Sequence, residues 1–265
     1  MNTKRIDFSK FSSIRIGPIV EVALIENDVV PQGHFIVGSA NNVLISPTPP
    51  PLMTLSKEYD FIRLETDGLH IGAATPGGRV VSFCKKNDIA HFEYLSKLPG
   101  TLGGMLKMNA GLKEYEIFNY LIAIRTQSGW KQKSEIEYGY RKTSIDEVVF
   151  EAVFEAQNGY SAERYEMFAQ MRSNQPNDPS AGSCFKNPPG DYAGRLIEAV
   201  GLKGQRVGAM AFSEVHANFL VNMGGGTFAD ALSLIHEAQT RVKTAFDLDL
   251  QCEVVIIDCE NMTKK

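Results

Sequence analysis

The sequence predicts an α+β fold built from two or three compact lobes. Three observations point there. The chain has 265 residues, more than a usual single domain and fewer than three generous ones. Short β-type runs crowd its first 156 residues, and its strongest helical patterns come later, between residues 161 and 246.

Residues 20–25 and 33–37 read as strands, being β-rich and too short for a helix. Only about ten residues lie between Ile25 and Phe35, too few for a crossover unit of at least ~10 to 12 residues plus strands. The prolines of Ser46-Pro-Thr-Pro-Pro-Pro-Leu52 remove donors and fix φ, so a first lobe ends at residue 52. Two β-type runs then flank Glu65-Thr-Asp-Gly68 as a hairpin. Residues 79–87 place Val80, Val81, Phe83 and Cys84 at helical spacing behind Pro76 and Gly77, and residues 105–110 suit a short helix. Residues 118–126, 130–138 and 148–156 read as strands, which makes 53–156 a β-rich second lobe.

From residue 157 the pattern becomes more helical. Ser161 starts a helix that runs to about Arg172, with Tyr165, Phe168 and Met171 as its apolar stripe. Residues 192–200 form a short helix closed by Gly201. Thr227, with Asp230 three positions on, opens the best helix, whose Leu232, Ile235, Val242 and Phe246 share a face. Residues 252–257 close the pattern as a strand carrying Glu253.

Composition excludes several function classes. Lys plus Arg is 27 against 31 for Asp plus Glu, with no basic cluster for a nucleic acid. No run approaches the roughly 20 apolar residues of a membrane span, and the charged start does not resemble a signal peptide. Cys84, Cys184, Cys252 and Cys259 form no CxxC pair and stand at no metal-ligand spacing to a histidine. They read as reduced thiols of a cytoplasmic protein that holds no metal, with Cys184 a packing residue.

The richest run for chemistry is Asp178-Pro-Ser-Ala-Gly-Ser183-Cys-Phe-Lys186-Asn187, a serine among small turn residues followed by a cation and an amide. No GxSxG elbow surrounds Ser183, which disfavours a serine hydrolase, although His216 keeps that reading open. Two glycine-rich turns, Gly38-Ser-Ala-Asn-Asn42 and Pro99-Gly-Thr-Leu-Gly-Gly104, are of the kind whose N–H groups converge on a phosphate. Neither matches the Rossmann or P-loop pattern, and each alone is first of all a turn. Arg141 after Tyr140 is by itself a surface cation, and His216 a satisfied loop histidine. Glu253 among apolar neighbours sits either at an exposed edge or buried, where it would be held as an acid.

The order of these segments resembles one family, the flavin-dependent UDP-N-acetylenolpyruvoylglucosamine reductases of bacterial cell-wall synthesis. Val37-Gly-Ser-Ala-Asn-Asn-Val-Leu-Ile45 is similar to that family's first FAD loop, which is usually richer in glycine. Phe92 to Gly104, continuing to Met108-Asn109-Ala-Gly111, resembles the second. Tyr138-Gly-Tyr-Arg141-Lys-Thr-Ser144 resembles the YR-x-x-S element, and Gln175 to Pro188 the serine-bearing element. Gly201-Leu-Lys-Gly204, Ser213 to Asn218 and Glu253-Val-Val-Ile-Ile257 complete the set.

The resemblance implies two small FAD-binding lobes of the vanillyl-alcohol-oxidase type, 1–52 and 53–156, and a substrate-binding domain, 157–265. It implies non-covalent FAD held by Gly38, Ser39, Ala40, Asn41, Asn42, Pro99, Gly100, Thr101, Gly103, Gly104, Asn109 and Gly111, with NADPH as the hydride source. The expected reaction reduces UDP-N-acetylglucosamine enolpyruvate to UDP-N-acetylmuramate. Arg141 and Glu253 would stabilise the enolate, Ser183 would protonate it, and Tyr140, Arg172, Lys186, Asn187 and His216 would contact substrate. The absence of an extra tyrosine-bearing insertion between Arg141 and Ser183 suggests the shorter, second subclass. Its first lobe is trimmed, and side chains stand in the loop at 38–41 where glycines are usual. Two competing readings are an oxidase of an alcohol or sugar from the same flavoprotein superfamily and a non-catalytic nucleotide-sugar or flavin-binding protein. In the oxidase, Arg141, Ser183 and Glu253 would have no common purpose.

Overall fold

A computed structural model describes residues 1–259 as two compact units. Of the described residues, the first comprises 1–4, 22–39 and 52–173, and the second 5–21, 40–51 and 174–259. The fold is mixed α+β, as the sequence predicts.

In the first unit, Leu52–Leu55 pairs in parallel with both Ile19–Ile25 and Phe35–Ile36. This strand begins directly after the prolines, at the residue where the first lobe was expected to end. Proline stops a strand only where its missing N–H is needed, so a run ending at Pro51 leaves Leu52 free to pair. No helix lies between residues 26 and 34. That short connection is instead fixed by Asp28, whose carboxylate accepts from the Tyr59 hydroxyl at 2.9 Å and pairs with Arg125 at 2.6 Å.

An antiparallel sheet follows, in the order Gly129–Gln132, Leu121–Thr126, Val149–Phe154, Gly68–Gly72, Ile62–Glu65. Its central strand, Val149–Phe154, is buried at all its positions and carries Glu151, which pairs with His70 and with Arg63. The hairpin at Glu65-Thr-Asp-Gly68 forms as expected, with Gly68 at φ +146°. Residues 130–138 are not one strand. After Gly129–Gln132 the chain makes a 3-10 turn, Lys133–Glu135, because the Glu135 carboxylate reaches back to the Gln132 N–H at 2.6 Å. The helices Gly77–Lys86, Leu102–Lys107 and Ala162–Met171 contribute Val80, Val81, Leu102, Leu106 and Phe168 to this unit's core. Leu102–Lys107 starts inside the second glycine-rich turn, three residues before the expected helix.

The second unit is built on an antiparallel sheet in the order Ser180–Ser183, Phe219–Asn222, Met210–Phe212, Arg206–Val207. Ala193–Ala199 and Phe228–Phe246 cover it, with Leu196, Ile197, Leu234, Ile235 and Val242 fully buried. Thr227 and Asp230 close the expected capping box at 3.1 Å each way. The buried face of that helix is Ala231, Leu234, Ile235, Ala238 and Val242, so Leu232 and Phe246 lie at its margin. Val255–Ile257 pairs in parallel with Val43–Ile45. Residues 252–254 precede that strand as a bridge and a bend, so Glu253 does not stand in it.

Candidate active site

The two glycine-rich turns hold main-chain donors ready. In the second, Leu102 N–H is taken by Thr75 and Gly103 N–H by Ala73, which ties the turn to the preceding strand. The N–H groups of Gly100, Thr101 and Gly104 make no hydrogen bond within the described residues. Gly38 of the first turn comes so close that a Cβ there would lie 2.9 Å from Thr101 Oγ1. Gly38 N–H is likewise unused, and four donors around one close approach suit an anion such as a pyrophosphate. Ala40, where a glycine is usual, takes φ +52°, and its carbonyl accepts from Ser13 N–H at 3.1 Å. The backbone keeps a glycine-like shape despite the side chain.

The remaining predicted cofactor residues divide differently. A Cβ at Gly103 would lie a tight 3.2 Å from Ala73, and one at Gly111 would fall 2.4 Å from the Tyr115 carbonyl, so packing requires glycine at 111. Asn109 is fully buried at φ +44°. Its amide donates to Glu116 at 2.8 Å and to the Gly139 carbonyl at 3.2 Å, and its Oδ1 accepts from Phe118 N–H at 3.4 Å. Asn42 turns its amide to the Glu253 carbonyl at 3.0 Å, and its own carbonyl accepts from Val255 N–H. Ser39, Asn41 and Pro99 complete the turns.

Arg141 sits at the tip of a two-residue hairpin between Tyr138–Gly139 and Lys142–Thr143. Its backbone is left-handed, φ +54°, a region a non-glycine residue enters at a cost of about 1–2 kcal/mol. The guanidinium holds it there, donating to the Gly111 carbonyl at 2.8 Å and the Asn109 carbonyl at 3.4 Å. Exposed Tyr140 lies under that guanidinium, 5.1 Å from ring centroid to Cζ.

Ser183 and Glu253 are brought together within the second unit. Ser183 ends an edge strand, after a bulge in which Gly182 takes φ +78°. Cys184 N–H donates to the Asn218 carbonyl at 2.7 Å, while the Asn218 side chain brackets Phe185, accepting from its N–H and donating to its carbonyl. On the other side, Glu253 N–H donates to the Cys184 carbonyl at 2.8 Å and Lys186 N–H to the Gln251 carbonyl at 2.9 Å. Glu253 is thus fixed across from the residue after Ser183, half-buried. The Ser183 hydroxyl makes no hydrogen bond within the described residues.

The other expected substrate contacts are distributed unevenly. Lys186 is half-buried and forms no ion pair within the described residues. Asn187 accepts from Ala193 N–H at 3.0 Å and so caps the helix Ala193–Ala199. Arg172 stands at the C-cap of Ala162–Met171. His216 accepts from Asn218 N–H at its Nδ1, which leaves the ring proton on Nε2; burial holds its pKa below the usual value. Asn218 is a residue to which the sequence pattern alone assigns no role. An amide placed before Phe-Leu-Val in a buried strand was the available signal, since it must find partners inside.

Comparison with known proteins places the chain in a family. The family model described as UDP-N-acetylenolpyruvoylglucosamine reductase, C-terminal domain, matches residues 175–257. The UDP-N-acetylenolpyruvoylglucosamine reductase of Helicobacter hepaticus is 45% identical over 97% of this chain and 100% of its own length. That of Campylobacter jejuni strain RM1221 is 44% identical over 95% and 99%. The crystal structure of UDP-N-acetylenolpyruvylglucosamine reductase (MurB) from Thermus caldophilus superposes with a TM-score of 0.86 at 28% identity, covering 97% of this chain and 100% of that one. At such identity over nearly the whole of both chains, this chain belongs to the UDP-N-acetylenolpyruvoylglucosamine reductase family.

Proposed function

We propose that this chain reduces UDP-N-acetylglucosamine enolpyruvate to UDP-N-acetylmuramate during peptidoglycan precursor synthesis in the cytoplasm. Non-covalent FAD fits the unused N–H groups of Gly38, Gly100, Thr101 and Gly104. The lobes 1–52 and 53–156 would be its binding region, with 157–265 receiving substrate, as in the shorter subclass. Once bound and reduced by NADPH, FAD would supply the hydride.

A hydride received at the vinyl methylene leaves negative charge on the carbon that bears the carboxylate. The Arg141 guanidinium, fixed on two carbonyls, offers a preset cation to that enolate. Glu253 would complete the site beside it. Ser183 gives its hydroxyl proton to the carbon; a hydroxyl is a poor acid toward most acceptors, but a carbanion is basic enough to take it. Tyr140, Arg172 and Lys186 are the candidate contacts for the sugar and diphosphate. Asn187 and His216 would serve mainly by holding the segments beside them.

The observation that supports this reading is the bond from the Glu253 N–H to the carbonyl of Cys184, the residue after Ser183. The test separates the half-reactions without oxygen. Ser183→Ala should be reduced by NADPH at the normal rate and reoxidised by the enolpyruvyl substrate slower by orders of magnitude. Equal loss in both halves would overturn the role of Ser183, and wild-type protein that substrate cannot reoxidise would overturn the reductase reading.

A further inference from the structure

The hairpin that carries Arg141 is fastened to residues 107–111 by at least four hydrogen bonds. Thr143 Oγ1 donates to the Lys107 carbonyl at 2.8 Å. Arg141 donates to the carbonyls of Asn109 and Gly111. The fourth runs the other way, from the Asn109 amide to the Gly139 carbonyl, immediately before the turn. Asn109 therefore holds the hairpin from both sides, through its side chain on Gly139 and its carbonyl on the guanidinium.

Its own state is costly enough to require a reason. A fully buried amide at φ +44° must have its polar atoms satisfied, and Glu116, Gly139 and Phe118 satisfy them. None of those partners is a ligand. Asparagine tolerates the left-handed region better than other side chains, and here it turns its carbonyl toward Arg141 while its amide reaches the next strand.

We propose that Asn109 is a positioning residue for Arg141, acting through the hairpin rather than by holding the flavin. The inference rests on the role given to Arg141 above. A side chain displaced by about 1 Å can cost on the order of 100-fold in rate, so loss of this tether belongs in the substrate half-reaction.

Asn109→Gly keeps the left-handed backbone and removes the amide; Asn109→Asp keeps the shape but cannot donate to Gly139. Both should retain flavin and be reduced by NADPH as the parent is. Reoxidation by the enolpyruvyl substrate should slow by about 10- to 100-fold, and adding Arg141→Met to Asn109→Gly should cost little beyond Arg141→Met alone. Hydrogen exchange in a peptide spanning residues 137–144 should quicken in Asn109→Gly. Loss of flavin with normal reoxidation once flavin is resupplied would overturn the proposal, and so would losses that multiply in the double variant. If Arg141→Met proves silent, the mechanistic reading fails; the exchange result then decides the tether alone, with unchanged protection in 137–144 overturning it.

Discussion

Cys184 follows Ser183 directly, and burial pushes its thiol well above the ordinary range, with the charges of Cys252 and Glu253 adding to the effect. Cys84 is likewise pushed up to about 12, chiefly by burial, whereas Cys259 is exposed. The thiolate is the nucleophile, so iodoacetamide near neutral pH should label Cys259 first and leave Cys84 and Cys184 unmodified until the protein unfolds, as read by mass spectrometry. Labelling of Cys184 in the folded protein would contradict its packing role. Single residues were legible to different depths. Ser183 and Arg141 stood out by their neighbours, because small turn residues and a tyrosine mark them locally. Asn109 reads as a cofactor residue from its surroundings, but its amide's partners Glu116 and Gly139 lie 7 and 30 positions away, so only folding reveals its purpose. Asn187 likewise reads as a ligand contact beside a lysine, and folding gives its Oδ1 the N–H of Ala193 at a helix start as well.

At the level of strands and helices, local chemistry carried the information it had. The Gly68 hairpin and the box of Thr227 and Asp230 are set by residues within a few positions, and the sequence discloses them. Leu52–Leu55 depends on partners at 22–25 and 35–36, and a proline-rich approach hid it. In the antiparallel sheet, His70 lies between Glu151 at 2.8 Å and Asp67 at 3.0 Å. Burial opposes its charge, yet hydrogen bonds to Glu151 and Asp67 outweigh that and raise its pKa. A raised value means that the stabilisation is fully present below the unfolded histidine's value of about 6.5 and is lost as pH climbs through the folded one. Thermal unfolding scans should therefore show the parent losing melting temperature between mildly acidic and mildly alkaline pH more steeply than His70→Gln. Parallel pH profiles would remove His70 as the cause. Glu65 stands near this pair, but the imidazole already has both nitrogens engaged.

Across the whole molecule, the two units are interleaved in sequence rather than laid end to end. Patterns read along the chain suggest successive segments, because nothing local announces that residues 40–51 belong with residues 174–265. The second unit's core includes Ile14, Ile16 and Leu44, exposed by 1%, 5% and 0%. Removing one large buried aliphatic side chain costs about 2–5 kcal/mol, and a domain's whole stability is about 5–15 kcal/mol. A fragment of residues 174–265 lacks all three, as well as the strand that pairs with Val255–Ile257. It should give an unfolded circular dichroism spectrum without a cooperative urea transition; a sharp transition would show that the interleaved segments are dispensable.

The bond between the Asn42 amide and the Glu253 carbonyl spans 211 positions, and the parallel strands beside it span a similar distance. During synthesis, Val43–Ile45 leaves the ribosome with no partner and waits until almost all the rest has been translated. Pairing so distant in sequence is slow to form, so this step comes late in folding. A chain halted by a premature stop codon before residue 253 would carry Ser183 and Arg141 yet lack the glutamate and its anchoring strand. Its failure would be one of assembly as well as chemistry, leaving an unpaired strand edge that quality-control proteases and chaperones are able to recognise.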